Sequence, residues 1–532
     1  MRNTNARRWL AGFGVVGALV ATAAPASAAP EQPSLGVYFL DSTIAADSPG
    51  IVDSPILYGS EPLALHGVKI TYDFSNLAGK VQISKSGAGS DTCTPAGSNR
   101  LVCSYAPEWE HVDYVDEWGA SGLYEVNIAP ADGVKDGVEG TLKVSFDAAG
   151  FDTVTHESRI RIGEGVDLAA GAEQQATAQP GGKFTSPATV RNVGETTVTG
   201  TNALFFNDYA IRADKQFSNC TYVEDELRSC YFDQPLAAGK SYTATLPYAL
   251  GADTYAPGGA YGEVSWLTAA EFEDFTAYTK SNGVEIGKPG NGGELTLAEV
   301  SSASARRAQA DTDPSNNWSH LEVTVTGKNG ADLSALGASI SGEAGKVVPA
   351  TIGFQNNGPA TIDASRRGGA VTSVDVKVPT GTTAVTVPED CVPFKGDEFD
   401  WENPGKAGAT DYRCYSESIS IAGEKRTFDF GFRIDQVIAD ATGQVTANPK
   451  CECESYFSKD LDSSNDIAKI LVNATGNGGD GDGGDGGTGG GDGGLPITGA
   501  SAGLMAGVGV LLLGAGAVGF VLARRRRMRF VA

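Results

Sequence analysis

The sequence predicts an all-β protein, a row of sandwich domains set between two processing segments, and three observations lead there. Apolar alternation with a period of two recurs in short segments bounded by Gly, Pro, Asn and Asp. One series of motifs returns in the same order along two successive stretches of chain. Helical stripes of period 3.6 are few, so antiparallel sheets with one wet face are expected.

Residues 1–28 are read as a secretory signal peptide. Arg2, Arg7 and Arg8 form a basic start, Leu10 to Ala24 is apolar and small, and Ala26-Ser27-Ala28 supplies the A-x-A site for cleavage after Ala28. The apolar run is short for an uncleaved spanning helix.

Residues 29–164 are assigned to a first, divergent sandwich. Val68-Lys69-Ile70-Thr71-Tyr72-Asp73-Phe74 alternates clearly, as do Leu321 to Val325 and Val374 to Val378 farther on. The chain has eight cysteines. Cys93 with Cys103 and Cys220 with Cys230 are close pairs, which in an exported chain read as local disulfides. Cys391, Cys414, Cys451 and Cys453 complete the set with their connectivity open, and a bridge across Glu452 alone would be tight. No C-x₂-C pair or Cys/His spacing suits zinc.

Residues 165–329 and 330–475 carry the repeat. Asp167-Leu168 and Asp332-Leu333 open them, and Asn192-Val193-Gly194 and Asn356-Asn357-Gly358 stand mid-domain. A cysteine pair follows in each. Asp311-Thr312-Asp313-Pro314-Ser315-Asn316-Asn317 and Asp460-Leu461-Asp462-Ser463-Ser464-Asn465-Asp466 then precede a closing strand. This pattern resembles the Ig-like conserved repeat domains of bacterial and archaeal surface proteins. The resemblance implies tandem Ig-like β-sandwiches with a structural or adhesive role and no catalytic residues. The first domain lacks the closing motif. A helix is expected from Thr268 to Tyr278, within an insertion of about 268–310 read as a long loop at one end of the second sandwich.

Residues 476–494 are almost wholly Gly, Asp and Asn, too polar to form a core. They are read as a flexible spacer spanning on the order of 25 Å. Residues 495–532 follow: Leu495-Pro496-Ile497-Thr498-Gly499, an uncharged stretch at 500–523 long enough for a transmembrane helix, and a basic tail at 524–532. The arginine cluster should stay cytoplasmic. The order resembles the LPxTG cell-wall sorting signals of Gram-positive surface proteins, and departs from that pattern nowhere. The resemblance implies that a sortase attacks the Thr498 carbonyl, releases Gly499 onward and joins Thr498 to an amine of peptidoglycan. Pro496 suits an extended, kinked substrate. Sortase and peptidoglycan are thus the expected partners, with the membrane holding only the precursor.

Forty Lys and Arg stand against 65 Asp and Glu, for a net charge of -25, and neither terminal segment holds an acid. So acidic a surface excludes nucleic acid as a partner. Gly499 to Gly503 matches G-x-S-x-G only within the tail, with no strand before it. The four histidines are scattered, giving a metalloprotease or a Ser-His-Asp enzyme nothing to build on. Asp311, Asp313, Asp460 and Asp462 offer hard oxygens suited to Ca²⁺. No Glu accompanies them at a fixed spacing, so Asx-turns entering the last strand are the preferred reading, with no cofactor. Two acidic-aromatic clusters remain, 108–118 with Trp109 and Trp118, and 397–402 with Trp401. Such groups serve sugar platforms and protein hot spots, and paired carboxylates serve glycosidases. The plainer reading tucks the rings into a sheet edge with the charges outward.

The sequence therefore predicts a secreted, wall-anchored, non-enzymatic surface protein with a structural or adhesive ectodomain. A surface glycan or protein would be its ligand. A carbohydrate-binding protein, or a wall-bound glycosidase or peptidase, is the alternative.

Overall fold

The computed structural model describes residues 33–86, 91–105, 112–115, 119–281, 284, 286–299, 309–367, 369–451, 453 and 455–474. The expected signal peptide, spacer and sorting signal lie outside the described residues. Three separate apolar cores follow one another, from Val37 to Ile162, Val166 to Val325 and Ala331 to Val472. The regular structure of the described residues is nearly all strand, with a single α-helix.

Each core lies between two sheets, and the larger sheet repeats one strand order. In the first sandwich its strands are β1 (Ser42–Ala45), β2 (Lys69–Asp73), β3 (Asp91–Pro95), β4 (Arg100–Tyr105), β5 (Val138–Asp147) and β6 (Val154–Val166). Their order across the sheet is β1-β6-β5-β2-β4-β3. The second sandwich uses β7 (Gln174–Ala178), β8 (Thr201–Asn207), β9 (Cys220–Val223), β10 (Glu226–Phe232), β11 (Ala256–Thr268) and β12 (Trp318–Asn329). Its order is β7-β12-β11-β8-β10-β9. The third uses β13 (Ala338–Ile340), β14 (Ser373–Lys377), β15 (Cys391–Lys395), β16 (Asp411–Tyr415), β17 (Ala441–Ala447) and β18 (Ile467–Val472), ordered β13-β18-β17-β14-β16-β15. In every case the first strand runs parallel to the last and all other neighbours are antiparallel. The divergent first domain therefore shares the strand order of the other two. Its facing sheet has three strands where theirs have four.

The alternating sequences act as their pattern dictates. Leu321, Val323 and Val325 enter the core while Glu322 and Thr324 face water. A disulfide joins directly opposed residues of the same two strands in each sandwich: Cys93–Cys103, Cys220–Cys230 and Cys391–Cys414. Cys451 bridges Cys453, which completes the pairing that the sequence left open.

The repeated motifs turn out to be one latch built twice. The Asp311 carboxylate accepts the Leu168 amide at 2.7 Å, and Asp460 accepts the Leu333 amide at 3.2 Å. Asn316 then donates to Asp167 and Asn465 to Asp332, each at 3.1 Å, so the closing turn holds the opening strand from both sides. The mid-domain asparagines complete it. Asn192 donates to the Thr196 and Leu236 carbonyls, and Asn356 to those of Ala360 and Ser420. The glycine two residues later is needed for space: a Cβ on Gly358 would lie 2.5 Å from the Ala331 Cα.

Helix α1 (Ala269–Ser281) follows β11 directly. Thr268 and Glu271 cap it reciprocally. Thr268 donates its amide to the Glu271 carboxylate at 2.9 Å, and the Glu271 amide donates to the Thr268 hydroxyl at 3.3 Å. The insertion is not a loop at one end of the sandwich, as the sequence suggested. Its helix packs against the first sandwich, and Lys288–Pro289 adds an edge strand beside β9. Leu295 and Leu297 then enter the core. Apolar residues at those positions gain more by burial than a solvated loop would.

Candidate functional site

Three places concentrate polar or aromatic side chains: the two joints between sandwiches and the outer face of the third. At the first joint β6 runs on from one sandwich to the next, and its end pairs in parallel with Gln309–Asp311. Arg159 and Arg161 alternate on β6 and so point the same way, towards α1. Arg161, 9% exposed, donates to Glu273 at 2.7 Å, to Asp274 at 2.6 Å, to the Ala270 carbonyl at 2.9 Å and to the Thr43 hydroxyl at 3.0 Å. Thr43 in turn donates to Asp274 at 2.6 Å. Arg159 reaches Glu273 at 2.9 Å. Tyr38 stands against Tyr278 and His156 beside this network. Glu271 also accepts the Asp311 amide at 2.7 Å, which ties helix, cap and latch together. Burial, and next the Glu271 charge, hold the Asp311 carboxyl up at about 8, and burial raises Glu271 also.

At the second joint Arg366 crosses from the third sandwich. It pairs with Asp208, donates to Glu263 at 3.1 Å and to the Tyr261 carbonyl at 3.0 Å, and lies 5.6 Å over the Tyr261 ring. Thr361 donates its amide to the Asp253 carbonyl at 2.7 Å and its hydroxyl to the Asp253 carboxylate. Tyr255 meets Phe457 edge-on. Burial raises Asp208 to about 6 against the pull of Arg366.

The outer face of the third sandwich is different in kind. Phe394 of β15 stacks on Phe399 at 5.1 Å, Phe399 on Trp401 at 5.4 Å, and Trp401 tilts against Tyr415 of β16 at 5.6 Å. Arg413 lies 5.0 Å over the Phe399 ring, with Asp375 of β14 accepting both of its near nitrogens at 2.6 and 2.8 Å. Phe394, Phe399 and Tyr415 are half-buried rungs of this ladder, while Trp401, between Phe399 and Tyr415, is 56% exposed. Beside it Asp400 accepts from Asn403 at 2.8 Å and from Lys406 at 3.1 Å. These bonds, the Asn403 one first, hold the Asp400 carboxyl below its ordinary value.

The sequence-predicted residues thus part company. Phe399 is tucked in as the plainer reading had it, while Trp401 stands in solvent. Trp109 and Trp118 lie outside the described residues, as do Leu495 to Gly499, Ala26 and Ala28. Asp311, Asp313, Asp460 and Asp462 sit in Asx-turns. Asp313 and Asp462 accept the Ser315 and Ser464 hydroxyls, and Asp311 and Asp460 accept the amides two residues on. Among the described residues no cluster of three or more His, Cys, Asp or Glu is placed to hold a metal. Both joints were missed from the sequence. Their one local signal is the alternation of Arg159 and Arg161, two cations on one strand face.

No family model and no curated protein matches the chain. Among solved structures it is similar to a protein of Corynebacterium diphtheriae assigned as membrane-anchored, at 11% identity. That match covers 82% of this chain and 95% of the other, with a TM-score of 0.16. It is also similar to the titin I-band fragment I67–I69, at 9% identity, 84% and 100% coverage and a TM-score of 0.15. A type III cohesin module of the cell-surface anchoring scaffoldin ScaE of Ruminococcus flavefaciens matches at 11% identity. It covers 25% of this chain and 89% of the module, with a TM-score of 0.16.

Proposed function

We propose that this chain is a sortase substrate: exported, cleaved after Ala28, and joined through Thr498 to peptidoglycan, with three sandwiches held outside the wall as an adhesive ectodomain. One observation carries the reading, the unbroken order of Leu495-Pro496-Ile497-Thr498-Gly499, an apolar stretch of spanning length, and Arg524 to Arg527. Cysteines paired throughout support an oxidising, extracellular setting. Among the described residues no helix is long and apolar enough to cross a membrane, and the segment assigned to that task, 500–523, is outside them. The ectodomain is assigned no catalysis; its role is to present surface.

The test is fractionation of cells with and without muramidase, comparing the native chain with Thr498→Ala. The native chain should appear only after digestion, carrying peptidoglycan fragments, and the variant should remain in the membrane or medium. Equal extraction of both by detergent would make the chain a membrane-tethered ectodomain and end the sortase reading.

A further inference from the structure

We propose that the Trp401 face of the third sandwich is a binding platform for a neutral polysaccharide. The inference rests on the ectodomain being adhesive, and adds where and to what chemistry it adheres.

Eight large apolar side chains are exposed among the described residues, and Trp401 is the only tryptophan of the eight. Its indole is also held in place. Phe399 stacks against it at 5.4 Å and Tyr415 tilts against it at 5.6 Å, and Arg413, fixed by Asp375, packs over Phe399. A large ring fixed by its neighbours and open to water has already lost the freedom that binding would remove. Burying the ring would stabilise the fold more than exposing it does. The second sandwich shows that this sheet face can be closed, since its outward residues Leu204 and Phe206 are only 3% and 4% exposed.

The polar groups beside the ring select the ligand. Asp400, Asn403 and Lys406 form a bonded set of carboxylate, amide and ammonium, within five residues of the indole. That set supplies both acceptors and donors, as an array of hydroxyl groups requires. The indole supplies a flat apolar surface for the C–H face of a sugar ring. Asp397, Glu398 and Glu402 are exposed around it, so an anionic polymer is repelled. A stable protein partner needs roughly 800 Å² on each side, far more than a ladder of four rings offers.

The test is affinity electrophoresis of the full-length chain in detergent, through gels holding mannan, arabinogalactan or mixed-linkage β-glucan, with polygalacturonate as the anionic probe. At least one neutral gel should retard the native chain, and Trp401→Ala should bind that polymer at least about tenfold more weakly. Asn403→Ala and Lys406→Ala, at exposed positions where misfolding is not a concern, should also weaken it. Tyr114→Ala, which removes an exposed ring from the first sandwich, should bind as the native chain does. Native mobility in every neutral gel, retardation by polygalacturonate alone, or equal retardation of Trp401→Ala would each overturn the proposal. None of these outcomes bears on muramidase release, so the platform and the anchor fail separately.

Discussion

In the second sandwich the outward residues of the large sheet are buried: Leu204 and Phe206 on β8, Ser229 on β10 and Ser265 on β11. The equivalent sheet of the third sandwich sends Trp401 into water. The strand order is the same, and what differs is the chain inserted between strands. The second sandwich spends its insertion on α1, which meets the sheet where Thr201 pairs with Thr268, while Arg366 closes the far end at the Phe206 carbonyl. The third has only the short Glu398–Phe399 hairpin, which lifts an aromatic ladder without covering it. One face has become a joint and the other remains a surface.

The sharpest way to break this contrast is to truncate one ring on each face. Phe206, stacked on Trp318 at 5.7 Å, should cost about 4 kcal/mol as Phe206→Ala in urea unfolding, through the cavity it leaves. A cost below about 1 kcal/mol would mean that the face is open like its counterpart. Arg161→Ala comes next, at about 3 kcal/mol, because it strands the buried Asp274 without its main partner. The first sandwich should then melt as a separate transition in calorimetry; a single unshifted transition would show that α1 does not couple the two.

The third prediction concerns pH. Burial lifts Asp311 to about 8, Glu226 and Asp466 to about 7, and Asp208 to about 6. Folded, these carboxyls keep a proton that the unfolded chain gives up above about pH 4. Their contribution to stability is therefore full below about pH 4 and is lost as pH rises through 6 to 8. The melting temperature should fall between about pH 5 and about pH 8.5, and Asp311→Asn should flatten that fall. A melting temperature that rises with pH would contradict the protonation assigned to these four carboxyls. The smallest effect belongs to Trp401→Ala, which should change stability by less than about 1 kcal/mol in the same urea assay, the ring being mostly solvated already.

The contrast also marks what the sequence could reveal. Alternation at Leu321 to Val325 and Val374 to Val378, the close cysteine pairs and the D-x-D-x-S-N turns are each settled within about ten residues, and each was legible. The turns even announced their chemistry, since an Asp two residues before an amide competes for it locally. Arg161 and Asp274 are 113 residues apart, and Arg366 and Asp208 are 158 apart. No period or spacing connects such pairs. The exposure of Trp401 was hidden for a related reason: Phe399 and Trp401 share one acidic-aromatic run, and only the ladder onto Tyr415 decides which ring is tucked in.

The parallel pairing of the first and last strands of the large sheet in every sandwich has a mechanical consequence. A chain gripped at its two ends pulls the first strand backwards and the last strand forwards along the same line. The bonds between them, spread over four residue pairs in the first sandwich, five in the second and three in the third, are sheared together and cannot unzip one at a time. Each large sheet thus resists stretching with this whole seam at once. The third, with the shortest seam, is placed to yield before the others.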